Sequence, residues 1–158
     1  MRRVRVIGFG NPDAGDDSVG LLAVREARPM LEGPDGVEIV EAGAGLHILD
    51  LLHDVDAVVV VDAVRAPHGA RPPGTIVRVE AGRDGLPAEV GSSLSSHGFG
   101  VGEAVGLAAA LEGAPRVTLL GVEVADLTAG NPLSAAVAAA LPELVALVVE
   151  EVGNLVSQ

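Results

Sequence analysis

"RVRVIGFGNPDAGDDSVGLLAVREARPML", residues 3–31, reads as a strand, a loop and a helix in succession. Arg3 to Gly8 is rich in Val and Ile and ends at glycine, the pattern of a buried strand. From Ser18 to Leu31, the residues Val19, Leu22, Ala23 and Ala27 recur at helical spacing, which predicts a helix packed by one face. The loop between them, within Gly8 to Gly20, holds three aspartates. Asp16 and Asp17 stand just before the predicted helix, where either can serve as its N-cap. Capping needs one acid, and two are present.

Outward from this unit the alternation continues. Val37 to Val40 predicts a second strand and Leu46 to Leu52 a short helix. Ala57 to Val61, "AVVVV", is apolar on both faces and belongs in the middle of a covered sheet. Thr75 to Val79 alternates after Pro72-Pro73-Gly74, as an edge or antiparallel strand does. Gly82 to Ser96 reads as a polar loop, Gly100 to Leu111 as a helix of small residues, and Val117 to Val122 as another strand. Leu133 to Val152 predicts a terminal helix kinked at Pro142. The order implies an α/β fold: a three-layer sandwich with a mostly parallel five-stranded sheet, one antiparallel edge strand and helices on both faces. At 158 residues, with no linker-like segment, one domain spanning 1–158 is expected.

Composition narrows the function. The formal net charge is −12, every basic side chain is Arg, and no Arg cluster follows a helix face, so phosphate-backbone binding is opposed and no nucleic-acid partner is expected. The absence of cysteine excludes disulfides, thiolate metal sites and a Cys nucleophile. The N-terminal "MRRVRVIGFGN" reaches Gly and Asn after a short apolar run, unlike a signal peptide, so a cytoplasmic location is expected. Pro142 and Glu143 interrupt the apolar stretch Leu133 to Val149, which favours a buried amphipathic helix over a membrane span. With no long apolar edge and no heptads, a monomer is expected.

In parallel sheets, ligands gather outside the carboxyl ends of the strands. Three groups of polar residues follow strands here: Asp16-Asp17, Asp62 ending "AVVVVD", and His97 in "SSLSSHGFG". Two carboxylates and an imidazole in one cleft suit Ni, Mn, Fe or Zn with positions open to substrate. Asp62 can instead hold a turn, although a carboxylate ending an apolar run is costly without a partner. His97 taken alone can be a structural hydrogen-bonding residue. His47, His53 and His68 have no comparable partner pattern. Phe9 and Phe99 either wall a cleft or fill core space.

Nucleotide chemistry fits poorly. Asp13 stands where G-x-G-x-x-G needs its third glycine, the acids after it repel a pyrophosphate, and the lack of lysine excludes a Walker A loop. G-x-S-x-G is absent around Ser18. A set of Ser95 or Ser96 with His97 and Asp62 remains as a metal-independent alternative.

Four motifs, "GFGNPDAGDDSVG", "VVVDAVRAPHGARPPGTIVRV", "SSHGFGVGEAVGLA" and "LLGVEVADLTAGNPLSAAVAAALPELV", together resemble the hydrogenase maturation protease family nearly end to end. That resemblance implies an endopeptidase that removes the C-terminal extension of a [NiFe] hydrogenase large-subunit precursor after nickel insertion. Gly8, Gly10 and Asn11 match the family's G-x-G-N start. Its three metal-contact positions fall on Asp17, Asp62 and His97, which the resemblance makes both metal-contacting and catalytic. It also implies that the nickel arrives in the precursor and that no cofactor is tightly bound. Ser18 and Asp13 depart from the family, which commonly has Gly and an apolar residue there. The alternative of another class is a non-catalytic module that holds a metal or metalloprotein in the same acidic cleft.

Overall fold

Ala57–Val64 forms a strand in which all eight residues are buried. Five of the eight are Val, and β-branched Val suits a pleated layer packed on both faces. The computed structural model describes residues 2–33, 35–43, 48–66, 69–81 and 113–158. Within them the strands are β1 (Val4–Phe9), β2 (Val37–Ala42), β3 (Ala57–Val64), β4 (Ile76–Glu80) and β5 (Arg116–Glu123). They form one five-stranded sheet in the order β2-β1-β3-β5-β4. β1 pairs in parallel with β2 and β3, β3 with β5, and only the edge pair β4–β5 is antiparallel.

Helix α1 (Val19–Leu31) and helix α2 (Ala135–Val156) pack on each other and on one face of the sheet. Val19, Ala23, Val24 and Ala27 meet Val137, Leu144, Val148 and Val152 over Val59 and Val61. On the opposite face Ile7, Phe9, Val58, Val60 and Leu119 form a second apolar layer beneath a 3-10 turn, Ile48–Leu52. The α/β architecture read from the sequence is therefore the architecture of the molecule, with helical elements on both faces.

Several details differ from expectation. The segment after the first loop enters as a 3-10 turn, Gly15–Ser18, before α1 begins at Val19. The stretch expected as a short helix closes as a 3-10 turn, because five residues are too few to propagate α-helical bonds. β2, β3 and β5 extend beyond their predicted ends, and β4 starts and ends one residue later than predicted. Helix α2 is continuous through Pro142 and ends at Val156 rather than Val152, with its buried stripe on both sides of the proline. Phe9, 1% exposed, fills the core rather than walling a cleft. The predicted loop at 82–96, the predicted helix at 100–111 and Phe99 lie outside the described residues.

Edges and core are also tied by charge. Arg78 on β4 grips Glu151 of α2 with two hydrogen bonds, Nε to Oε2 at 3.0 Å and Nη2 to Oε1 at 2.9 Å, and Thr118 adds a third at 3.2 Å. This satisfies a nearly buried carboxylate facing the sheet.

Candidate active site

Three glycines let the first loop fold down onto the sheet. A Cβ on Gly20 would lie 2.3 Å from the Val61 carbonyl oxygen and 2.4 Å from that of Phe9, so the start of α1 rests directly on β1 and β3. A Cβ on Gly8 would meet the Gly20 carbonyl at 2.6 Å, and one on Gly10 the Asp17 carbonyl at 2.0 Å. Only glycine permits such approach. The consequence is positional: the turn bearing Asp16 and Asp17 packs against the carboxyl end of β3.

The two adjacent acids have separate employment, and neither caps a helix. The turn Gly15–Ser18 and helix α1 have no side-chain cap bond. Asp16 is fully buried, and its carboxylate accepts four hydrogen bonds from the segment linking β5 to α2. Oδ2 accepts from Ala125 N at 2.8 Å, Asp126 N at 2.9 Å and Ser134 Oγ at 2.8 Å, and Oδ1 accepts from Ser134 N at 2.7 Å. Burial pushes its pKa up, but the bonds from Asp126, Ser134 and Ala125 outweigh that and hold it below the ordinary value. Asp16 is an ionised, saturated group, and it is the residue whose role the sequence reading missed. Its partners lie 109 to 118 residues away, and no local pattern signals them.

Asp17, 8% exposed, is different. Among the described residues its carboxylate accepts one hydrogen bond, from Asn11 N at 3.2 Å. A carboxylate offers about four acceptor sites, so Asp17 keeps capacity for a substrate group or an ion.

Asp62 does not end its strand, as expected, but sits inside β3 two residues before Val64, fully buried. Its Oδ1 accepts from Ala63 N at 2.8 Å. Alternation puts Asp62 on the side of Val58, Val60 and Val64, the face opposite α1 and α2. Beside it in register on β5 is Gly121, which adds no side chain next to the carboxylate. Asp17 and Asp62 thus stand on adjoining elements at one end of the sheet.

His97, the third expected contact, lies outside the described residues, as do His47, His68, Ser95 and Ser96. His53 is described and exposed, with its backbone carbonyl accepting from Arg5. Among the described residues no group of three His, Cys, Asp or Glu side chains has metal-binding geometry.

A further carboxylate stands near this edge and is accounted for by its partners. Glu123, paired in register with Val64, accepts from Ala66 N at 2.8 Å and from Arg71 Nε at 3.1 Å. It fastens the chain leaving β3.

Comparison with known proteins shows which proteins the chain is similar to. A model of the hydrogenase maturation protease family matches residues 22–151, a stretch that includes Asp62 and His97 and begins five residues after Asp17. Hydrogenase expression/formation protein HupD of Rhizobium leguminosarum bv. viciae is 33% identical over 144 residues, covering 89% of this chain and 69% of that protein. The hydrogenase 2 maturation protease of Escherichia coli K12 is 29% identical over 122 residues, 76% of this chain and 72% of that one. Among solved structures, the hydrogenase maturating endopeptidase HybD from E. coli superposes with a TM-score of 0.76 at 26% identity, covering 92% of this chain and 89% of its own. A hydrogenase 2 maturation peptidase from a Thaumarchaeota archaeon gives 0.68 at 28% identity, covering 96% and 99%.

Proposed function

This chain belongs to the hydrogenase maturation protease family and is a peptidase, and from that premise we propose that it removes the C-terminal extension of a [NiFe] hydrogenase large-subunit precursor once nickel has been inserted. The observation that supports the reading is the packing of the turn bearing Asp17 on β3, the strand that carries Asp62. Asp17, Asp62 and His97 engage the nickel carried by the precursor and thereby hold the scissile peptide next to them. Water polarised at that ion or by a carboxylate adds to the peptide carbonyl carbon, and the leaving nitrogen takes up a proton. Rigid placement on the sheet supports this role, because a checkpoint must distinguish loaded from unloaded precursor by geometry.

The client is a protein, not nucleic acid or membrane. A lysine-free chain of net charge −12 supports this, and no helix among the described residues is long and apolar enough to cross a membrane. The enzyme acts as a monomer in the cytoplasm. Charged residues on both edge strands, Glu38 and Glu41 on β2 and Arg78 and Glu80 on β4, oppose edge-to-edge pairing and support that state.

The test follows the precursor's C-terminal extension by mass after incubation with the protein, with nickel loaded and without. Loss of the extension only from loaded precursor is expected, and Asp17→Asn and His97→Ala are each expected to slow it severely while leaving a measurable residue. Cleavage regardless of nickel overturns the checkpoint, undiminished cleavage by those variants overturns the residue assignment, and no cleavage at all turns the reading towards a binding module.

A further inference from the structure

We propose that Asp16 is a positioning residue for peptide cleavage: clamped by the β5–α2 segment, it fixes where Asp17 stands at the end of the sheet and acts on the reaction through Asp17. The inference rests on the reading of Asp17 as a carboxylate that contacts the substrate.

The clamp is closed from both sides of residue 16. Its carboxylate receives the four bonds already described, and its own N–H donates to Asp126 O at 2.8 Å. Residues 13 and 15 are held by the same segment. Gly130 N donates to Asp13 O at 2.6 Å, and a Cβ on Gly15 would meet Asp126 O at 2.6 Å. The segment is itself stiffened, since Asp126 accepts from Thr128 N and Asn131 Nδ2, both at 2.8 Å. Ser134, which supplies two of the four donors, immediately precedes α2. The buried stripe of α2 is part of the main core. Asp17 shares a peptide unit with Asp16, and its carbonyl lies against Gly10. The candidate carboxylate is therefore referenced to the core through α2 as well as through its own short loop.

The clamp also calls for a carboxylate in particular. Three donors converge on Oδ2 and one on Oδ1, so an amide in the same shape keeps three acceptor contacts and points an NH2 group at Ser134 N. Asp16→Asn loosens the clamp without emptying it. A group that only stabilised the fold would change the amount of active protein; a positioning group changes turnover by the molecules that are folded.

The experiment measures kcat and KM for cleavage of nickel-loaded precursor by wild type, Asp16→Asn, Asp17→Asn and the double variant, below each protein's unfolding transition. Asp16→Asn is expected to lower kcat about tenfold with KM within about twofold, and the double variant to turn over no more slowly than Asp17→Asn alone. If Asp16→Asn does not fold, Ser134→Ala, which keeps the carboxylate and removes one donor, is expected to lower kcat alone by about two- to threefold. Wild-type kcat in the folded clamp variant, or losses that multiply in the double variant, overturns the inference and leaves the site reading intact. Undiminished cleavage by Asp17→Asn overturns the site reading, and the inference with it.

Discussion

Asp16 and Ser134, 118 residues apart, meet through two hydrogen bonds: Ser134 N donates to Oδ1 at 2.7 Å and Ser134 Oγ to Oδ2 at 2.8 Å. The pair joins the turn beside β1 to the start of α2. Ser134→Ala removes the side-chain bond and leaves the backbone one, so a loss of about 0.5–1.5 kcal/mol is expected. Urea unfolding of the two proteins checks it; an unchanged midpoint counts against the clamp.

Gly20 sets how closely α1 approaches the sheet. A methyl group there would press on the carbonyls of Phe9 and Val61, neither of which is the end of a flexible side chain. Gly20→Ala is expected to cost about 1–3 kcal/mol despite the better helix propensity of alanine. It is also expected to slow cleavage, because the turn carrying Asp17 must move with the helix. A thermal shift together with the precursor assay reads both effects.

Arg78 is half exposed, whereas its partner Glu151 is nearly buried. Arg78→Ala leaves that carboxylate with Thr118 as its remaining side-chain donor, and an expected loss of about 1–2 kcal/mol follows after allowing for solvent screening of the arginine. Arg78→Lys is expected to recover only part of this, since lysine cannot make the two-pronged contact. Equilibrium unfolding of the three proteins orders them.

Glu80 gives a pH dependence of defined sign. Hydrogen bonding from Arg78, aided by its charge and by Arg116, holds the carboxyl below its ordinary 4.5. The folded value lies below the unfolded one, so the stabilisation is complete above about 4.5 and fades as pH falls through the folded value. The stability difference between wild type and Glu80→Gln is expected to be flat near neutral pH, to shrink below pH 4.5, and to be smaller in high salt because the pair is exposed. Unfolding curves taken down the acid limb at two salt concentrations measure it.

Much of the fold was legible because it is written in short-range patterns. A Val- and Ile-rich run ended by glycine marked β1, a run apolar on both faces marked β3, and the alternation in "TIVRV" placed β4 at an edge, where it pairs antiparallel with β5. The bounds were less legible. β3 carries on past Asp62 to Val64 because neighbouring β5 continues beside it in register, a condition set by another part of the chain. For the same reason Asp62 could be singled out as costly but not placed inside the strand. Pro142 lies inside α2, which is continuous on both sides of it.

By itself the sequence determined the kind of molecule: an acidic, lysine-free α/β chain whose apolar periodicities lay out strands and helices, with a pair of acids in the loop after the first strand. Those are properties of residues a few positions apart, and such spacing survives in the linear text. Only the tertiary structure separated Asp16 from Asp17. Their surroundings in sequence are nearly the same, but one carboxylate is saturated by donors that arrive from the far side of the chain and the other is not. A hydrogen bond depends on distance in space, and folding brings residue 134 to residue 16.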